Sequence, residues 1–423
     1  MKAELNSEFL KGVIKAPPSK SLAHRAIICA ALSKGQKTVL KNIELSNDIK
    51  ATLNCVCQLG VRYNYEINKL TIFAPDEYKT ECEMFCMESG STFRFMIPIV
   101  SALKAKCTFD GIGKLPSRPY KILADVMEKN GAMFSAKKGL PVTLSGKIMP
   151  GEYKIKADES SQYISGLLFA LPLLEGDSKI VIDGEIESKQ YIDMTIDVLK
   201  KFSVEISFKD NEYFVKGNQS YKAHDFVNEG DYSNAAFFIC AAALNGDIEI
   251  IGLNKDSIQA DVKIVDIIKK MGGNIEFQDN ILKVKKSPLK GIEYDFSQCV
   301  DIAPIASVTA ALASGKSKFT GLRRLKIKES DREIATYNII YNLGGKIRLI
   351  DDTFIIEGVK SFKGGVVCGY NDHRIVMSAA IAALKSEKEV VITDVQAINK
   401  SYNGFFDDYC GLGGKVNVFD VGR

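Results

Sequence analysis

One unit of about 70 residues recurs six times along the chain. An amphipathic run that ends in glycine and passes into an alternating apolar segment occurs as CVCQLGVRYNY, VMEKNGAMFSA, VLKKFSVEISF, IIKKMGGNIEF, IIYNLGGKIRL and DYCGLGGKVNV. With Gly60, Gly131, Ser203, Gly272, Gly344 and Gly413 taken as equivalent, the steps are 71, 72, 69, 72 and 69 residues. A period of this kind means stacked supersecondary units, none of which can bury its apolar face alone. Six copies fill 423 residues, too many for a single core, so two domains are expected.

Within a unit, Ile264, Ile267, Ile268 and Met271 fall at helical spacing, and the glycine that follows stops the helix. Ile275 and Phe277 then alternate up to Asp279-Asn280, after which 281–284 turn back as a hairpin; Ile347-Arg348-Leu349, Asp351-Asp352 and 354–356 repeat the pattern. Each copy holds a second helix of another kind: LAHRAIICAAL, TFRFMIPIVSAL, YISGLLFALPLL, NAAFFICAAAL, APIASVTAAL and IVMSAAIAAL are rich in Ala and apolar on nearly every side. A helix apolar all round is a buried helix. The unit therefore reads as βαβαββ and the fold class as α/β, with two three-unit domains whose sheets wrap around buried helices.

Composition removes several functional classes. The ten cysteines include no C-x-x-C pair and follow no secretory leader, which fits reduced thiols used as small core residues in the cytoplasm. No stretch offers about 18 uninterrupted apolar residues, so no membrane span is expected. The net charge of +4 comes from dispersed Lys and Arg, unlike a nucleic-acid-binding tail, and suits small anionic ligands. His24, His224 and His373 lack metal-ligand spacing, so no metal site is expected.

Polar residues gather just ahead of the buried helices, where unpaired N–H groups and the positive dipole end favour anions. They are Ser19-Lys20-Ser21 with Arg25, Ser89-Gly90-Ser91-Thr92 with Arg94, Ser160-Ser161-Gln162, Asp231-Tyr232-Ser233, Asp301, and Asp372-His373-Arg374. Plain N-capping accounts for many of the Ser and Asp positions. It does not account for arginine. The chain has ten Arg against 46 Lys, yet Arg25, Arg94 and Arg374 stand at these helix starts and Arg118 and Arg332 in short polar loops. Guanidinium forks match carboxylates and phosphates in shape as well as charge.

PPSKSLAHR (17–25), SGSTFR (89–94), SRP (117–119), SSQY (160–163), KESDR (328–332) and NDHR (371–374) resemble, in order and spacing, the signature blocks of the 3-phosphoshikimate 1-carboxyvinyltransferase (EPSP synthase) family of enolpyruvyl transferases. The resemblance implies an inside-out α/β barrel in each of two domains. One would be 19–228, the shikimate 3-phosphate side, and the other 1–18 with 229–423, with the active site in the cleft between them and closure of that cleft on ligand binding. It also implies the substrates, shikimate 3-phosphate and phosphoenolpyruvate, whose two phosphates and two carboxylates need many fixed cations. By similarity Lys20, Ser21, Arg25, Ser160, Ser161, Gln162, Ser188, Asp301 and Lys328 hold shikimate 3-phosphate. Lys20, Gly90, Arg118, Gln162, Arg332, Arg374 and Lys400 hold phosphoenolpyruvate. Catalysis falls to Asp301 as base toward the 5-hydroxyl and to Glu329 as donor and acceptor of the carbon-bound proton, with Lys328 and Lys20 beside the reacting groups. A monomer that requires no metal or organic cofactor and has no nucleic-acid or membrane partner is the corresponding expectation from the resemblance.

Three departures from the family pattern stand out. Glu88 replaces a frequent Asn and Ser91 a frequent Thr in the anion loop, and Ser401-Tyr402-Asn403 replaces a frequent Ser-Phe-Pro after Lys400, which predicts a less rigid lysine loop. The related UDP-N-acetylglucosamine 1-carboxyvinyltransferases differ more: they carry Lys-Asn in the first motif and a reactive Cys in the loop before Arg-Pro, whereas here Lys20-Ser21 stands and GIGKLPSRP has no Cys. A noncatalytic anion-binding protein on the same scaffold is the third reading, disfavoured by retention of both Asp301 and Glu329.

Overall fold

The computed structural model describes residues 1–156 and 159–420. The chain divides into two compact units, Pro18–Asn228 and Met1–Pro17 with Glu229–Arg423. Each unit contains three four-stranded sheets of one plan: a parallel pair followed by two antiparallel neighbours. Strands Glu81–Phe85 and Lys106–Asp110, for example, are parallel and joined by helix Gly90–Ala102, because parallel neighbours require a crossover and a helix is the compact one.

The three copies in a unit are not closed in sequence. Strand Phe226–Val227 supplies the first position of the sheet built on Lys37–Lys41, and Leu10–Lys15 does the same beside Gly246–Ile251. Strand Lys2–Leu5 inserts between Val390–Thr393 and Val416–Phe419, antiparallel to both. Segments at the start of the chain thus complete sheets of the unit that contains 229–423.

The inner helices are Lys20–Leu32, Gly90–Ala102 and Ser161–Ala170 in one unit, and Tyr232–Asn245, Ala303–Ala311 and His373–Ala382 in the other. All nine residues of Ala303–Ala311 are buried, as an all-round apolar sequence requires. Small residues let these helices touch. At Gly166 a Cβ would fall 2.5 Å from the carbonyl oxygen of Arg94, so alanine there would force Ser161–Ala170 away from Gly90–Ala102 at about 1–3 kcal/mol. The outer helices, such as Lys263–Lys270, bury one face only: Ile264, Val265, Ile267 and Ile268 face in.

Helix stops fall at the repeated glycines. Gly60, Gly131, Gly272, Gly344 and Gly413 have φ between 86° and 103°, and Ser203, the one non-glycine at this position, has φ 64°. The hairpin turns at Asp279 and Asp351 likewise use positive φ, at 54° each. The reading of every cysteine as a core residue needs correction. Cys29, Cys55, Cys86, Cys107, Cys240 and Cys299 are buried, but Cys57 and Cys82 are half-buried and Cys368 and Cys410 exposed. No helix of the described residues is long and apolar enough to cross a membrane.

Candidate active site

In Pro18–Asn228 the starts of the three inner helices are capped by serines. Ser19, Ser89 and Ser160 accept from the backbone N–H of Leu22, Thr92 and Gln162. Lys20 and Ser21 therefore occupy the first turn of one helix, Gly90 that of the second, and Ser161 and Gln162 that of the third.

Arg25 lies one turn further in, 3% exposed, and its guanidinium is fully oriented. Nε donates to Thr195 Oγ1 at 2.8 Å, Nη1 to the Ser21 carbonyl at 2.7 Å, and Nη2 to the Tyr191 carbonyl at 2.8 Å. Burial pushes its pKa down to about 10, so it stays charged at neutral pH. These bonds tie the first inner helix to helix Lys189–Lys201, at whose start Ser188 is buried with φ 52° and ψ 45°. A serine held in the left-handed region costs about 1–3 kcal/mol, strain of the kind found at ligand sites.

Arg94 performs the same service for the other two. It donates to Gln162 Oε1 at 2.7 Å and to the Pro119 carbonyl at 2.9 Å, and stacks over the Tyr163 ring. Gln162 Nε2 in turn donates to Ser91 Oγ at 2.8 Å, so both ends of the amide are committed. Arg118 crosses the first turn of Gly90–Ala102: a Cβ at Gly90 would sit 2.4 Å from its Nη1. Any side chain at Gly90 would make that guanidinium shift. Glu88 turns its carboxylate onto Gly113, where any side chain would overlap it.

A third link is a buried chain of hydroxyls. His24 Nδ1 meets Thr52 Oγ1 at 2.7 Å, Thr52 Oγ1 meets Thr92 Oγ1 at 2.7 Å, and Thr92 Oγ1 donates to Ser89 Oγ at 2.8 Å. Thr52 Oγ1 thus joins His24 to Thr92, and it also lies 3.5 Å from the Asp48 carbonyl. Burial, with Lys20 and Arg25 nearby, holds His24 well below its ordinary pKa and hence neutral. Lys20 pairs with Asp48 at 2.8 Å on the same outer helix as Thr52.

In the other unit the predicted residues converge on Asp301. Its Oδ1 lies 3.0 Å from Lys328 Nζ and 2.8 Å from Arg332 Nη1, and Arg374 Nη1 donates to its carbonyl at 3.0 Å. Arg332 also reaches Glu329 Oε2 at 2.6 Å and Asp372 at 2.8 and 3.1 Å. Asp372 is held by Ser330 and caps His373–Ala382 through the Arg374 N–H. Asp301 is not a helix cap: a 3-10 turn, Val300–Ile302, precedes Ala303–Ala311, and no side chain caps that helix.

Burial works against the Asp301 carboxylate, but Lys328, Arg374 and Arg332 outweigh it and hold its pKa well below the usual range. Burial lowers the Lys328 pKa, with Asp301 opposing. Arg332 is also desolvated, yet Asp372, Glu329 and Asp301 keep it firmly charged. Asp261 sits 3.9 Å from Arg374 and accepts from Ser233; burial pushes its pKa up to about 6. Lys400 ends the turn Val395–Lys400 and donates to the Asn371 carbonyl. The loop after it is packed, contrary to the sequence expectation: Ser401 bonds Asn234 at 3.1 Å and Tyr402 is buried edge-on to Phe238 and Phe405.

Sequence reading did not find Asp48, Thr52, Thr195 or Asp261, and gave no role to Arg94, Ser330 or Asp372. Each of the first four reads locally as an ordinary helix or loop residue. Arg94 and Asp372 carried a signal in their places at helix starts.

A two-domain α/β scaffold with anion-ready helix starts and a carboxylate–arginine cluster defines the enolpyruvyl transferase class, and comparison with known proteins agrees. Residues 6–409 match the family described as EPSP synthase (3-phosphoshikimate 1-carboxyvinyltransferase). Relatives of that name include one from Clostridium novyi, 42% identical with 98% of each chain covered, and one from Clostridium perfringens, 44% identical with 96% of each covered. Among solved structures, EPSP synthase from Acinetobacter baumannii has the same fold, with a TM-score of 0.81 at 24% identity over 99% of this chain and 100% of that one. The chain belongs to the EPSP synthase family.

Proposed function

We propose that the protein transfers the enolpyruvyl group of phosphoenolpyruvate to the 5-hydroxyl of shikimate 3-phosphate, releasing inorganic phosphate, in the cytoplasmic route to chorismate and the aromatic amino acids. Relatives at 42–44% identity over nearly their whole length bear the name of this transferase. Lys20, Ser21, Arg25, Ser160, Ser161, Gln162 and Ser188 bind shikimate 3-phosphate; Gly90, Arg118, Arg374 and Lys400 bind phosphoenolpyruvate, with help from Lys20, Gln162 and Arg332. Both sets serve one reaction in a monomer.

The observation that carries the mechanism is Arg332, which holds Asp301 at 2.8 Å and Glu329 at 2.6 Å on one guanidinium. Two carboxylates fixed by one cation are placed for opposite proton transfers. With phosphoenolpyruvate taking over the charge of Arg332, Glu329 enters the reaction as the neutral acid: Asp301 takes the proton of the 5-hydroxyl as that oxygen attacks C2 of phosphoenolpyruvate, and Glu329 gives its proton to C3. The tetrahedral adduct then expels phosphate, which carries off the proton held by Asp301, and Glu329 recovers a proton from the methyl group.

With its pKa so depressed, Asp301 is a weak base in the ligand-free protein. Substrate phosphates and carboxylates compete for Lys328 and Arg374, which lifts the basicity of Asp301 when the hydroxyl arrives. A phosphate-release assay with each acceptor tests the reading. Turnover with shikimate 3-phosphate that fails in Asp301→Asn and Glu329→Gln supports it; turnover only with UDP-N-acetylglucosamine would reassign the acceptor.

A further inference from the structure

Away from these residues, strands Glu81–Phe85 and Lys106–Asp110 put two cysteines side by side. Cys82 and Cys107 are register partners on adjacent parallel strands, so their side chains leave the same face of the sheet. Neighbouring strands lie about 4.7–4.9 Å apart, inside the roughly 4.4–6.8 Å span of Cα atoms joined by a disulfide.

Their exposures differ in a useful way. Cys107 is fully buried, whereas Cys82 is half-buried and lines an open pocket of about 480 Å³ with Gln58, Glu81, Glu83, Lys106 and Thr108. A reagent can reach Cys82 and cannot reach Cys107. The pocket carries two carboxylates against one ammonium and so favours a cationic or zwitterionic reagent over an anionic one. The neighbouring Cys107 thiol lowers the Cys82 pKa, whereas Cys82 together with burial raises that of Cys107. Thiolate character thus belongs to the accessible member.

We propose that Cys82 is a reversible thiol-modification site whose resolving partner is Cys107, and that the oxidant is a small cationic or zwitterionic disulfide. The Cys82 thiolate attacks one sulfur of the reagent, and the other sulfur departs as a thiolate. Cys107 gives up its proton and attacks the Cys82 sulfur, the mixed disulfide breaks, and the second small thiol leaves. Two protein thiols are oxidised and one disulfide is reduced to two thiols, so atoms and electrons balance. The bridge keeps Cys82 from oxidising further to irreversible acids. The nearby pair Cys55 and Cys86, with sulfurs 3.8 Å apart, is buried at both members and offers no entry.

The test is to incubate the native full-length protein with cystamine, block the remaining thiols in acid, and map the peptides by mass, which separates this pair from adducts on the exposed Cys368 and Cys410. The expected product is a Cys82–Cys107 bridge, two hydrogens lighter, that forms faster than with oxidised glutathione and is reversed by dithiothreitol. Cys107→Ser should retain cysteamine on Cys82. Should that variant fail to fold, the wild-type time course decides, because an adduct at Cys82 must precede the bridge. A stable Cys82 adduct in the wild type, an unreacted Cys82, or a bridge between Cys55 and Cys86 overturns the proposal.

Discussion

Arg25 and Arg332 are both almost fully buried, yet the two units satisfy them differently. Arg25 donates to one hydroxyl and two carbonyls, all neutral. Arg332 is gripped by the carboxylates of Asp301, Glu329 and Asp372. Neutral acceptors orient a guanidinium and leave its charge for an incoming anion. Carboxylates cancel the charge, and the arginine serves to position and tune acids. The first arrangement suits a phosphate cradle and the second a proton-transfer centre.

The largest effect that can break this contrast is on turnover. Asp301→Asn and Glu329→Gln should each lower kcat by about 100- to 10,000-fold while circular dichroism stays native. A smaller loss in either would remove that carboxylate from the chemistry. Next comes stability. Asp372→Ala leaves Arg332 with Asp301 and Glu329 but removes two charged hydrogen bonds to it and the cap of His373–Ala382, and should cost about 3–5 kcal/mol in urea denaturation, whereas Thr195→Val removes one neutral acceptor of Arg25 and should cost about 1–3 kcal/mol. Equal losses would erase the distinction between the two arginines.

The pH dependence separates two acids of the same cluster by sign. Asp261, with a folded pKa of about 6 above its unfolded value, binds more protons when folded, so its contribution falls as pH rises from about 4 to about 6. Asp261→Asn should abolish that slope, worth on the order of 1–3 kcal/mol. Asp301, depressed in the folded state, contributes above its unfolded pKa of about 4 and loses the contribution as pH falls below it. Thermal melts across pH 3–7 read both.

Gly90→Ala should raise KM for phosphoenolpyruvate roughly five- to a hundredfold by displacing the Arg118 guanidinium, with KM for shikimate 3-phosphate little changed. Thr52→Val is the smallest, about 0.5–1.5 kcal/mol of stability, since the hydroxyl chain from His24 to Ser89 is neutral throughout. An unchanged melt would reduce that chain to packing.

The inner helices could be read directly, because a residue run such as APIASVTAAL has no polar face to show solvent. The helix stops could too, and Ser203 kept the glycine-like conformation that the period demanded of it. Other features resisted. Local pattern made Asp301 a helix-start residue, but its side-chain partners are Lys328 and Arg332, 27 and 31 residues on, and Arg374 meets its carbonyl from 73 residues away. Thr195 looked like a mid-helix threonine until Arg25, 170 residues earlier, was seen to bond it. The lysine loop looked loose without proline, yet aromatic packing of Tyr402 secured it.

Period, fold class and the list of charged motifs were determined by sequence alone, because hydropathy and turn chemistry act between residues a few positions apart and are written locally. Which cation neutralises which carboxylate was decided only by tertiary structure. Hydrogen bonds reach about 3 Å and an ion pair weakens with distance and solvent, so that choice depends on helix starts far apart in the chain being brought to the same place.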